Sequence, residues 1–133
     1  MNFKYTIQVN DNNQLLIKIS DSELLSLQDL LNTINVYPYI ETVIQEFETI
    51  KERLCNLDEL VENKYNGYWE DEELGSCFTV LGFEYVCTFI KDSIVLIENE
   101  YQYPEVPRVK LDIREFIQTL ESWRDILKSR LKD

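Results

Sequence analysis

The sequence predicts an α+β fold: an antiparallel sheet, made of an N-terminal hairpin and a central meander, with helices packed on it. Three observations carry this. Apolar residues alternate with period two near the N-terminus, recur at helical spacing over residues 24–61 and 113–131, and lose helical period between them. Strands and helices thus segregate along the chain in the order β-β-α-α-β-β-β-α, which favours antiparallel pairing over a wound parallel sheet. At 133 residues the chain is expected to form one domain, residues 1–133, with a core that needs no staples.

Phe3, Tyr5, Ile7 and Val9 alternate with Lys4, Thr6 and Gln8, the pattern of a half-buried strand. Asp11-Asn12-Asn13 is turn chemistry, because Asx side chains bond nearby backbone and tolerate left-handed dihedrals. Leu15, Ile17 and Ile19 resume the alternation and close a hairpin. Ser20-Asp21-Ser22 offers capping oxygens for a first helix carrying Leu24, Leu27, Leu31 and Ile34. Pro38 pushes its neighbour out of the α region, so that helix should end near Asn35. Pro38 suits the first turn of the next helix, whether as a plain break or as a corner presenting Tyr37 and Tyr39. The stripe Ile40, Val43, Ile44, Phe47, Ile50, Leu54, Leu57 and Val61 predicts one long helix to Asn63, with Asn56 or Asp58 able to cap a break.

Asn66-Gly67 signals a turn. Residues 77–90 are rich in strand formers, and Phe83, Tyr85, Cys87 and Phe89 are expected on one face. Gly82 marks either a bulge in one long strand or the corner of a hairpin. Lys91-Asp92-Ser93 turns the chain into a partner strand from Ile94 to Tyr101, and Pro104 and Pro107 bracket a loop. Asp112 and Glu115 have capping-box spacing. Ile113, Phe116, Ile117, Leu120, Trp123, Leu127 and Leu131 then form the inward stripe of a final helix, with Lys128, Arg130 and Lys132 in its last turns. Ile44, Phe47, Leu54, Phe89, Phe116 and Leu120 are the expected core, with Trp123 more simply core than ligand box.

Charge narrows the function. Twenty-five acids face thirteen bases, and the net charge is −12. Residues 1–107 hold 20 acids and 6 bases (−14), whereas residues 108–133 hold 5 acids and 7 bases (+2). Such a surface repels a phosphate backbone, so nucleic acid is not an expected partner. It attracts a basic one. No apolar run approaches the ~18 residues of a membrane span, no apolar leader precedes Lys18, and a cytoplasmic, membrane-free protein is expected. Cys55, Cys77 and Cys87 are an odd count without metal-ligand spacing and read as reduced, buried thiols, with a Cys77–Cys87 bridge as the alternative.

The chain has no histidine, so Ser-His-Asp and Cys-His systems and His-ligated metals are excluded. Three scattered glycines build neither a phosphate loop nor a dinucleotide fingerprint. No cofactor and no metal is expected. Carboxylate chemistry remains open: Glu98 and Glu100 share a strand face and, with Glu84, could meet or hold a hard cation, although a solvated strand face is the simpler reading.

The densest charge run is Glu70-Asp71-Glu72-Glu73, directly after Tyr68 and Trp69. A second aromatic-acidic cluster joins Glu98, Glu100, Tyr101 and Tyr103, with Glu105 beside them. Tyrosine and tryptophan beside carboxylates are the ingredients of a hot spot for an arginine-rich partner. The plainer alternative is a solvated loop with aromatics packed on the sheet. These ten residues, Glu105 aside, are the predicted partner-binding face. The expectation is a small, non-enzymatic, acidic module that neutralises or regulates a basic protein. Small bacterial immunity proteins share this size, acidity and lack of catalytic groups; the likeness is one of composition. A small-ligand-binding or regulatory α+β domain is the alternative.

Overall fold

The protein is described by a computed structural model covering residues 1–130. Among these residues it is an α+β fold of four helices and seven strands, the strands forming antiparallel sheets of two and five. Strands β1 (Tyr5–Val9) and β2 (Leu15–Ile19) make the N-terminal hairpin, with Ile7 opposite Ile17. Its turn is closed as an Asx motif. Asn10 Oδ1 accepts hydrogen bonds from the Asn12 and Gln14 amides, and Asn13 adopts φ 60.

Asp21 accepts from the Glu23 amide and starts a single 3-10 turn, Ser22–Leu24, before α1 (Leu25–Thr33). The next helix is shorter than the apolar stripe suggests. It divides into α2 (Tyr39–Glu52) and α3 (Asp58–Lys64). A straight helix over 39–63 would exceed the diameter of a small domain. The break keeps Val61 fully buried in the main core, while Leu54 and Leu57 are only partly buried against it. It also leaves Cys55 exposed, which corrects the expectation of three buried thiols; Cys77 is buried, Cys87 half-buried, and all three are free.

Five strands follow as a continuous meander: β3 (Trp69–Asp71), β4 (Gly75–Gly82), β5 (Val86–Lys91), β6 (Ile94–Asn99) and β7 (Val109–Asp112). Gly82 ends β4 at a hairpin corner, and the bulge lies earlier, where register shifts between Thr79 and Leu81. The corner breaks the expected Phe83–Phe89 alternation. Phe83 packs against the main core, whereas Phe89 and Cys87 lie with the opposite face. The flanking strands β3 and β7 extend the expected meander on either side.

Helix α4 (Ile113–Arg130) is capped by Asp112, whose Oδ1 accepts from the Arg114 amide. Leu131 and Lys132 of the predicted stripe lie outside the described residues. Helices, hairpin and one face of the large sheet enclose the main core. Ile44, Phe47, Phe116, Leu120 and Trp123 are buried there, with Phe47 and Phe116 edge-to-face at 4.7 Å. Trp123 satisfies its indole by donating to the Leu31 carbonyl at 2.8 Å. Among the described residues, no helix is long and apolar enough to cross a membrane.

Candidate functional site

The large sheet has a second apolar face. Cys77, Phe89 and Leu96 are buried on it, with Leu74, Cys87 and Ile94 packed around them, apart from the main core. Register puts Trp69 beside Cys77, Thr79 beside Phe89, and Leu96 beside Lys110, so these side chains stand on one surface. Trp69 lies edge-on to Phe89 at 5.0 Å, and its Nε1 donates to Thr79 Oγ1.

Arg108 sits over this surface. Its guanidinium is 5.2 Å from the Phe89 ring and 5.1 Å from the Tyr103 ring, stacked on both. Nη1 and Nη2 donate to the two Asp71 oxygens at 2.9 and 2.8 Å, and Nε donates to Glu98 at 3.2 Å. Asp71 also accepts from the Glu73 and Leu74 amides, which closes the β3–β4 turn. The Arg108 bonds hold the Asp71 carboxyl below the usual carboxylate range, with the two backbone amides assisting against burial. Glu73 is held low in turn by Lys110, whose Nζ donates to it at 2.8 Å.

The strand alternation divides the predicted partner-binding residues. Asp71, Glu73, Glu98 and Tyr103 gather around Arg108, and Trp69 stands on the same face against Phe89. Glu72 joins them in a groove of about 340 Å3 also lined by Asp71, Glu73, Tyr103 and Arg108. Glu100 borders the same face, close enough to Cys87 to raise its thiol. Tyr68 and Glu70 point the other way. Tyr68 packs edge-on against Phe78 and donates to Asp58 of α3. Burial and then that carboxylate push the Tyr68 phenol up to about 12. Glu70 accepts from Ser76. Tyr101 is the most exposed aromatic of the group, at 75%.

The acidic run is therefore not a solvated loop of four equivalent carboxylates. Asp71 is an internal ion-pair partner, and Glu73 is shared between Arg108 and Lys110. Among the described residues, Glu72 and Glu100 have no ion-pair partner. Arg108, Lys110 and the ring of Phe89 organise the face, and sequence reasoning did not single out Arg108 or Lys110. A signal existed: Arg108, Lys110 and Asp112 alternate with Val109 and Leu111, a strand period overlooked between two prolines and a helix cap.

Glu84 lies exposed in the β4–β5 corner. Among the described residues, no three His, Cys, Asp or Glu side chains group closely enough to hold a metal ion. A groove of about 530 Å3 beside α2 is lined by Glu41, Thr42, Gln45, Glu46, Thr49 and Lys64, all polar. No protein-family model, no curated protein and no solved structure matches the chain.

Proposed function

We propose that the chain is a small acidic binding module that neutralises or regulates a basic protein partner, which docks on the outer face of the five-stranded sheet. One observation carries the reading. Among the described residues, no helix side chain joins the Cys77, Phe89 and Leu96 cluster on this sheet face, which presents Trp69 and Tyr103, 38% and 44% exposed, beside the carboxylates of Glu72 and Glu100, neither of which has an ion-pair partner. Tyr101 stands on the neighbouring loop. Rings with a polar tip beside free carboxylates suit arginine and lysine side chains, which can stack on the first and bond the second. The net charge of −12 adds a long-range field that favours a basic partner and disfavours nucleic acid. An immunity protein that silences a toxin is the form of this reading that size and composition suggest. It requires no catalytic step.

The test is to capture partners from the native host, purify the basic ones and compare binding rates. Trp69→Ala and a Glu72→Lys, Glu100→Lys double variant should each weaken binding. An acidic partner, or unchanged binding by both variants, would overturn the proposal.

A further inference from the structure

Each sheet edge of a protein offers unpaired backbone groups, and soluble chains guard them. Among the described residues, three of the four sheet edges are guarded. The free edge of β2 is covered by amide side chains of α1 and the residues after it. The Ile17 amide donates to Asn32 Oδ1 at 2.8 Å, and Asn32 Nδ2 donates back to the Ile17 carbonyl at 3.0 Å. The Ile19 amide donates to Gln28, and Asn35 donates to the Leu15 carbonyl. Strand β3 is three residues long and carries Glu70 and Asp71; β7 is four residues long and carries Lys110 and Asp112.

Among the described residues, strand β1 has none of these protections. It is five residues long, all exposed, without proline, bulge or charge between Tyr5 and Val9. The α1 amides identify its free groups. Because Leu15, Ile17 and Ile19 aim their backbone away from β1, their partners Val9, Ile7 and Tyr5 aim theirs outward on the other side. Tyr5, Ile7 and Val9 also expose their side chains, at 37%, 37% and 50%. One strand thus offers both an open ladder and an apolar row.

We infer that β1 pairs with β1 of a second copy of this chain, antiparallel about a two-fold axis at Ile7. The strand is self-complementary in that register. Ile7 meets Ile7, Tyr5 meets Val9, and all six backbone positions fall on hydrogen-bonded pairs. The apolar rows of the two hairpins become continuous, with Ile17, Ile7, Ile7 and Ile17 in line across four strands. An aromatic opposite a β-branched residue is a favourable cross-strand pair. Charge selects the same surface. Residues 1–10 hold no acid in a chain of net charge −12, so two copies meet here without like-charge contact. Lys4 falls opposite Asn10 of the second copy, one residue from its Asp11. An isologous contact of this kind closes at a dimer. Two five-residue strands bury less than the usual ~800 Å2 per partner, so the dimer is weak, with Kd about 1–100 µM.

Sedimentation equilibrium from about 1 µM to about 1 mM should show a reversible monomer–dimer transition. Ile7→Lys places two like charges on the axis and should weaken dimerisation about tenfold or more; Ile7 is exposed, so the monomer should keep its thermal midpoint. Val36→Lys, at an exposed apolar residue on the covered side of β2 opposite β1, should leave the dimer intact. The Tyr5, Ile7 and Val9 amides should gain exchange protection as concentration rises. A monomer at all concentrations overturns the proposal and leaves the edge to a strand of another protein. A dimer that Ile7→Lys leaves unchanged, or without protection at these amides, also overturns it.

Discussion

Arg108 and Asp71 face each other fork to fork, through two parallel hydrogen bonds of 2.9 and 2.8 Å between residues 37 positions apart. Their side chains are 12% and 4% exposed. The pair ties the residue just before β7 to the end of β3, across the full width of the meander. It also sets the character of the candidate site. The one arginine over the face is consumed internally, and what remains to meet a partner is acidic and aromatic.

Removing one member of a buried pair leaves the other charge uncompensated, which commonly costs about 3–5 kcal/mol. Asp71→Ala should fall at the low end, because Glu98 still faces the guanidinium. Arg108→Leu should cost more, since it strands Asp71 and Glu98 and removes the stacking on Phe89 and Tyr103. The double variant should cost less than the sum, with a coupling of about 1–3 kcal/mol. Denaturant unfolding of the four proteins measures the cycle, and additive losses would exclude a direct interaction.

The same pair shapes acid stability. The Asp71 carboxyl is held below its ordinary value by Arg108, whereas in the unfolded chain it titrates near ~3.9. A depressed folded value means that the unfolded chain binds the proton first. The contribution is therefore fully present above the unfolded value and is lost as pH falls through the folded one. Unfolding free energy should drop below about pH 4, and Asp71→Asn should flatten that slope. An unchanged slope would remove Asp71 from the acid transition.

Phe116 is fully buried, edge-to-face with Phe47 between α4 and α2. Phe116→Ala should cost about 3–5 kcal/mol through lost transfer energy and the cavity left behind. Near-normal stability by denaturant titration would contradict the register of α4.

Much of this fold was legible because its signals are periodic. The hairpin, the apolar stripe of α4 and the buried Trp123 follow from spacing alone. The break between α2 and α3 was less so, because Leu54, Leu57 and Val61 continue the stripe through it; tertiary packing, not local pattern, decides the direction there. The candidate site was legible as composition and not as geometry. Tyr68 and Trp69 are adjacent in sequence, yet a strand sends them to opposite faces. Four consecutive acids looked like a cost without a structural return, because their counter-charges stand at Arg108 and Lys110 on the far strand. Nothing local to residues 70–73 announces those partners.

The thiols should divide by environment. Cys55 is exposed in the α2–α3 break. Burial, then the Asp71 charge, pushes the Cys77 thiol up. Burial, then Glu100 and Glu98, pushes Cys87 up to about 11. Reaction requires the thiolate. A thiol reagent at pH 8 should label one cysteine rapidly in the native protein and all three after unfolding. Cys55→Ser should abolish the rapid phase, and rapid labelling of Cys87 would contradict its place beneath the two carboxylates.

Two variants separate attraction from anchoring at the outer sheet face. Among the described residues Glu72 and Glu100 have no ion-pair partner at its border, so Glu72→Lys with Glu100→Lys alters the field and leaves the Arg108 network in place. That variant should slow association with a basic partner, and the deficit should shrink as salt screens charges beyond ~10 Å. Trp69 differs. Its ring rests against Phe89 and still exposes 38% of its surface, the condition of an anchor that a partner finishes burying. Trp69→Ala should act mainly on dissociation, with a loss of ~2 kcal/mol or more. Stopped-flow association and surface-plasmon dissociation at two salt concentrations resolve the two effects. Equal effects of both variants on both rates would mean that neither residue set forms the contact, and that the altered proteins had lost the face as a whole.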